Sequence, residues 1–139
     1  MFQICYASKT TSNDLKILND LRDILDEARH FNVKHDICGV LYFADEYFFQ
    51  CLEGDQDTIE MLLDKLFKDP RHHQIKLYQH TEIKHRHFSQ WSMKYVKRSS
   101  QIQQFFLDQG YEKFAPLCLS QQDLPKLLHL LYEIEETEL

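Results

Sequence analysis

Three features of the sequence predict an α+β domain built on a mixed sheet. Residues 37–54 hold two runs of β-branched and aromatic residues parted by Ala44-Asp45-Glu46, the pattern of a tight hairpin buried on both faces. On either side lie segments whose apolar residues recur at helical spacing, and each is bounded by a further β-rich run. The resulting order, strand, helix, strand, strand, helix, strand, strand, is that of a ferredoxin-like βαββαββ sheet with both helices on one face.

In chain order, residues 2–8 (FQICYAS) read as the first strand. Thr11 and Asp14, three residues apart, resemble a capping box opening a helix. Ile17, Leu21, Ile24, Ala28 and Phe31 then form an apolar stripe widened by Leu18 and Leu25, and Asn32 is expected to end the helix, because Asn tolerates the left-handed conformation found there. After the hairpin, Gly54-Asp55 supplies a turn and an N-cap. Ile59, Leu62, Leu63, Leu66 and Phe67 form the buried face of a second helix that runs to Asp69 and stops at Pro70. Residues 74–83 alternate loosely, as a strand with one wetter face does, and a last strand is expected from about Ser92 to Val96. Two C-terminal helices, residues 101–107 and 124–136, carry stripes of Ile102, Phe105 and Phe106 and of Leu124, Leu127, Leu128, Leu131 and Ile134. These stripes need a surface to cover, and the sheet face opposite the first two helices is available. The groove between the two long helices is the default place for a small ligand.

The sequence has 139 residues, 43% of them hydrophobic, enough for one core, so a single globular unit is expected. No apolar run approaches the roughly 20 residues of a membrane span, and no secretory leader is read at Met1-Phe2-Gln3, so a cytoplasmic protein without membrane contact is expected. Cys5, Cys38, Cys51 and Cys118 lack metal or redox spacing, and three of them lie in expected strands, where a thiol acts as a small hydrophobe. A net charge of −6 argues against direct nucleic-acid binding, and the clusters Lys84-His85-Arg86-His87 and Lys94, Lys97, Arg98 are read as solvating a strand edge and a strand end. His85 and His87 would share one face of a strand, but no third ligand converges on them, and no metal is expected. Gln50 stands among apolar residues in the hairpin. A dry, unpaired amide costs about 1–3 kcal/mol, so Gln50 needs a polar partner from elsewhere in the fold or from a ligand.

Several spaced motifs now agree. Tyr6-Ala7-Ser8 on the first strand, Asp23-Ile24-Leu25 with Asn32 on the first helix, and Gly39 with Phe48-Phe49-Gln50-Cys51-Leu52-Glu53-Gly54 in the hairpin are joined by Asp69-Pro70-Arg71-His72 and Trp91-Ser92-Met93. Together, over residues 2–97 and in unbroken order, they resemble the BLUF family of flavin-based blue-light sensors, in its short single-domain form. Taken singly, Tyr6 is a strand core residue, Gln50 a satisfied amide, Asn32 a helix cap, and Trp91 and Met93 ordinary packing. Their joint occurrence in family order carries the reading.

The resemblance implies a noncovalent FAD held between the two helices. Ile24, Ala28 and Leu66 would sandwich the ring, Phe48 would close its end, and the Asn32 amide would pair with the ring's pyrimidine edge. Lys65 stands where relatives often carry Arg, and Phe31 where they commonly carry a polar residue. Ser8, Arg71 and His72 complete the expected cofactor contacts. The implied chemistry is photochemical: Tyr6 donates an electron and a proton through Gln50, whose altered hydrogen bonding shifts absorption to the red. Trp91 and Met93, placed on the last strand, would relay the change to the C-terminal helices, so that residues 1–97 form the photosensor core and residues 98–139 an output cap of the same globular unit. No cyclase, phosphodiesterase or DNA-binding motif is read there, so output is expected to pass to a separate protein, with self-association left open.

Rival readings are an acylphosphatase-like enzyme, a regulatory module with another small ligand, and a flavin-dependent redox protein. The first needs glycine and arginine in an anion-cradling loop, where this chain has Ser8-Lys9-Thr10-Thr11. The last needs an open substrate site and a nicotinamide partner, and no dinucleotide fingerprint is present. A photosensor without enzymatic turnover is the favoured reading.

Overall fold

The computed structural model describes residues 1–139. Its elements are β1 (Phe2–Thr10), α1 (Ile17–His35), β2 (Cys38–Ala44), β3 (Tyr47–Gly54), α2 (Gln56–Phe67), β4 (His72–Leu77), β5 (Thr81–Glu82), β6 (Lys94–Lys97), α3 (Ser100–Asp108), a 3-10 turn (Pro116–Cys118) and α4 (Leu124–Glu133). The sheet order is β4-β1-β3-β2-β6, with β5 also pairing with β1. β6 runs parallel to β2, and the other pairings are antiparallel. This is the expected ferredoxin-like arrangement, extended by one strand beyond β2. No helix is long and apolar enough to cross a membrane.

Alternation along the central strands separates two cores, because successive side chains of a strand point to opposite faces. On one face Ile4, Tyr6, Leu41, Phe48 and Leu52 pack with Leu21 and Leu25 of α1 and Ile59, Leu62 and Leu63 of α2. On the other, Cys5, Ala7, Val40, Tyr42, Phe49 and Cys51 pack with Ile102 and Phe106 of α3, Phe114 and the α4 leucines. Leu124, Leu127, Leu128 and Leu131 are all buried, each contributing roughly 1.5–3 kcal/mol of apolar burial. The C-terminal helices thus cover the face left free by α1 and α2, as their stripes require.

The hairpin turns through Asp45 and Glu46, with φ of 51° and 75°, a two-residue turn with both central residues left-handed. Without glycine, that turn is held from outside: Asp45 accepts from Arg98 Nη1 at 3.0 Å and from the Phe114 backbone N–H at 3.1 Å. Gly39 is dictated by close strand approach, since a Cβ there would lie 2.4 Å from the Cys51 carbonyl oxygen.

Several boundaries differ from expectation. Thr11 and Asp14 do not cap α1. The Thr11 hydroxyl donates to the Pro70 carbonyl, and Asn13 Oδ1 instead takes the backbone N–H groups of Leu15 and Lys16 in a turn before the helix. Nor does Asn32 end α1. The helix runs on to His35, and Asp36, at φ 54°, is the left-handed residue, its N–H bonded to the Asn32 carbonyl. α2 ends at Phe67 rather than Asp69, and both Phe67 and Leu18 are half-exposed at the margins of their stripes. The expected strand 74–83 is two shorter pieces with a bulge where Gln74 adopts φ 53°. His85 and His87 lie in an irregular loop, not on a strand.

Candidate functional site

Tyr6 and Gln50 sit directly opposite each other on β1 and β3, so their side chains share the face beneath α1 and α2. The Tyr6 hydroxyl donates to Gln50 Oε1. At the other end of the amide, Gln50 Nε2 donates to Met93 Sδ at 3.7 Å. A thioether is a weak acceptor, so the amide is held firmly at its oxygen and loosely at its nitrogen. Tyr6 and Gln50 are both buried. Burial, helped by the negative charge of Asp69, raises the Tyr6 pKa far above the ordinary phenol range, and the side chain stays protonated at neutral pH.

Beside this pair lies a cavity of about 110 Å³ between α1 and α2. Its apolar walls are Ile24, Ala28 and Phe31 from α1 and Leu62 and Leu66 from α2, with Asn32 and Gln50 as its buried polar members. Asn32 Nδ2 donates to the Ser92 carbonyl at 2.6 Å, while Asn32 Oδ1 is sealed from solvent without a partner. An unpaired buried acceptor costs about 1–3 kcal/mol, so a ligand that brings an N–H to that oxygen is favoured beside Asn32. A flavin's pyrimidine edge carries such a donor.

At the mouth, Arg71 forks onto Asp69, with Nη2 at 2.7 Å, and reaches Glu27 of α1, also at 2.7 Å. Partial burial alone would raise the Asp69 pKa, but the hydrogen bonds and charge of Arg71 outweigh it and hold this carboxyl below its usual range. Lys65 Nζ lies 4.7 Å above the Phe31 ring, joining α2 to α1 at the same opening.

The remaining expected cofactor residues stand one layer away. Ser8 Oγ bonds His72 Nδ1 at 2.7 Å, and His72 Nε2 faces the Leu66 carbonyl. In the neutral ring Nε2 therefore carries the proton and Nδ1 accepts from the Ser8 hydroxyl. The His72 ring packs 6.1 Å from Tyr6 and 6.5 Å from Phe48. Ser8, Phe48 and His72 do not line the cavity. They buttress Tyr6 and the end of α2.

Trp91 and Met93 are not on the last strand, which begins only at Lys94, where pairing with Val40 of β2 starts. They lie in the segment leading into it and point to opposite sides of the sheet. Met93 is buried beside Gln50, while Trp91 packs 6.4 Å from Phe88 and 6.3 Å from Tyr132 of α4. Lys94 does not solvate a strand end. It is 1% exposed, and its Nζ donates to the carbonyls of Leu131 and Tyr132, each at 2.8 Å, and lies 4.3 Å above the Trp91 ring. Burial lowers the Lys94 pKa, with Glu136 opposing the shift. Arg29, not among the expected site residues, donates its Nε to the Met93 carbonyl at 3.1 Å and reaches Glu136 with its Nη2 at 3.4 Å. Nothing in local spacing signals Arg29. The Asp69-Pro70-Arg71 spacing does signal the mouth clamp, since a carboxylate two residues before an arginine can accept its fork.

The chain is similar over nearly its whole length to two solved structures of BlsA. The ground state matches with a TM-score of 0.95 and 48% identity, covering 99% of this chain and 91% of that one. The photo-activated state matches with a TM-score of 0.94 and 48% identity, covering 99% of each. The dark-state structure of the BLUF protein BlrB matches with a TM-score of 0.77 and 27% identity, over 94% and 92% of the two chains. Among curated proteins, the blue light- and temperature-regulated antirepressor BluF of Escherichia coli (strain K12) is 33% identical over 55 residues, 40% of this chain. Photoactivated adenylate cyclase subunit alpha of Euglena gracilis is 26% identical over 92 residues, 66% of this chain. The chain spans only 14% and 9% of the length of those two proteins. The family described as sensors of blue-light using FAD matches residues 1–94, and this chain belongs to it, the BLUF family.

Proposed function

We propose that the protein is a blue-light receptor that holds FAD noncovalently between α1 and α2, with Tyr6 and Gln50 as its photochemical pair. One observation carries the reading: a buried phenol, amide and thioether in series adjoin an apolar cavity in which Asn32 Oδ1 lacks a partner. Ile24, Ala28, Phe31 and Leu66 would hold the ring, Asn32 would accept from its edge, and Lys65 and Arg71 would meet its outer polar groups. Ser8, Phe48 and His72 would keep Tyr6 in place. Bound FAD supplies blue-light absorption and, once excited, a strong appetite for an electron.

The chain's own part follows from the environment of Tyr6. A site that disfavours phenolate disfavours any separated charge, so Tyr6 gives up its electron together with its proton, and the proton's acceptor is Gln50 Oε1. Electron and proton then return to Tyr6. Gln50 is left rotated or as its imidic tautomer, its Nε2 end being held only by the weak Met93 contact while the Tyr6 bond at Oε1 is broken and remade. A rearranged Gln50 hydrogen bond toward the cofactor is read as a red shift. Nothing is consumed, so the cycle is photochemical and not enzymatic. The change reaches Met93, whose backbone is held by Arg29, and passes along residues 91–94 to α4 through Trp91 and Lys94. Residues 98–139 act as the output cap, and a separate protein reads it.

The test is an absorption spectrum before and after blue light. The wild type is expected to be yellow and to shift to the red, whereas Tyr6→Phe and Gln50→Ala remain yellow without shifting. A colourless protein, or a shift that survives in both variants, overturns the reading.

A further inference from the structure

A second and larger cavity, about 620 Å³, lies between the loop of residues 81–90 and α4, remote from the α1–α2 groove. Single small-ligand sites fall in the range of about 300–1,000 Å³. Its floor includes Leu124, Leu128 and Tyr132, and its rim carries Arg86, Ser89 and Gln90. No Asp or Glu lines it, although the protein carries a net charge of −6. Behind the wall, the buried Glu53 carboxylate is already taken by Gln3 Nε2 at 2.9 Å and by the backbone N–H groups of His87 and Phe88 at 3.0 and 2.7 Å. His129 at the outer edge is engaged by Glu133 at 3.1 Å.

The His87 ring, also at the cavity, contacts Gln3 Nε2 at 3.0 Å and Glu53 at 3.5 Å, so Arg86, its side chain 17% exposed, is the remaining basic group among the lining residues. It uses Nη1 on Cys38 Sγ and Nη2 on Asp36, both at 3.1 Å, and the Asp36 side chain is 92% exposed. A guanidinium has five N–H donors, so several remain for an incoming anion, and an exposed partner such as Asp36 is easily exchanged. We propose that this cavity binds a small amphipathic anion, a medium-chain carboxylate whose tail lies on Leu124, Leu128 and Tyr132 and whose head meets Arg86. Tyr132 packs on Trp91 and its carbonyl holds Lys94, so the site adjoins the α4 end of the chain's core.

The test is calorimetric titration of the intact protein as purified, in the dark, with decanoate below its micellar concentration, and with decan-1-ol as the neutral comparison. Binding in the dark does not depend on the photochemical reading, so the two fail separately. One-to-one binding of decanoate is expected, with decan-1-ol about tenfold weaker and Arg86→Gln about tenfold weaker for decanoate, the effect of losing one charged hydrogen bond. Ser89→Trp, which fills the rim from an exposed position, is expected to abolish binding. An unchanged far-ultraviolet circular dichroism spectrum certifies that each variant is folded. Equal affinity for decan-1-ol, or unchanged affinity in Arg86→Gln, overturns the anion assignment. Unchanged affinity in Ser89→Trp, or no saturable binding at all, overturns the site.

Discussion

At Asn32, one amide does two jobs in a buried place. Its nitrogen holds the Ser92 carbonyl and its oxygen is buried unpaired beside the cavity that Asn32 lines. Asn32→Ala is therefore expected to weaken flavin retention about three- to tenfold, the value of one neutral hydrogen bond, as measured by fluorescence titration. Asp69 and Arg71 give a prediction in pH. The unfolded carboxylate titrates near about 3.9, and Arg71 holds the folded one lower. The unfolded chain thus binds the extra proton first, and the pair's stabilisation is complete above that value and lost as pH falls through the lowered one. The urea midpoint of the wild type should fall more steeply below about pH 4 than that of Asp69→Asn. Equal slopes would assign the acid sensitivity to other groups. Of these residues, Asn32 stood out in the sequence as part of a motif, but its split bonding did not, because its partner lies 60 positions away.

Among the elements, the β2–β3 hairpin is the most tightly constrained. A methyl at Gly39 would meet the Cys51 backbone oxygen, which has no rotamer to escape by. Gly39→Ala is expected to destabilise the protein by roughly 1–3 kcal/mol, the scale of core overpacking, in denaturant unfolding. The two strands and the helical stripes were legible because burial repeats with periods of 2 and 3.6, which the residues display directly. Element ends were less so. α1 overran Asn32 because that side chain is needed inside the packed face, and the turn to β2 was left to Asp36. β6 began late because Trp91 and Met93 are directed to opposite cores before pairing with β2 starts.

Across the whole molecule, the sheet lies between a helix pair that forms the groove and a helical cap built from α3 and α4. Residues 91–94 cross from one side to the other: Met93 touches Gln50, and Lys94 ties the last carbonyls of α4. If light acts through this segment, illumination of the wild type should change amide exchange in α4. Lys94→Met should keep the red shift, since it leaves Tyr6 and Gln50 untouched, and lose the change in α4. Persistence of that change in the variant would show that the route runs elsewhere.

Local chemistry was enough to determine most of the strands and helices and the faces they bury, while resemblance to a family pattern, and not local chemistry, brought Tyr6, Asn32 and Gln50 together. Those properties depend on neighbours close in sequence, or on motifs whose order is visible. Tertiary structure alone decided that Lys94 is buried, that Arg29 grips Met93, and that Trp91 lies on α4 while Met93 lies on Gln50. Each of those facts rests on groups brought together from distant parts of the chain, and a side chain's own residue type does not reveal which distant carbonyl, sulfur or ring will meet it.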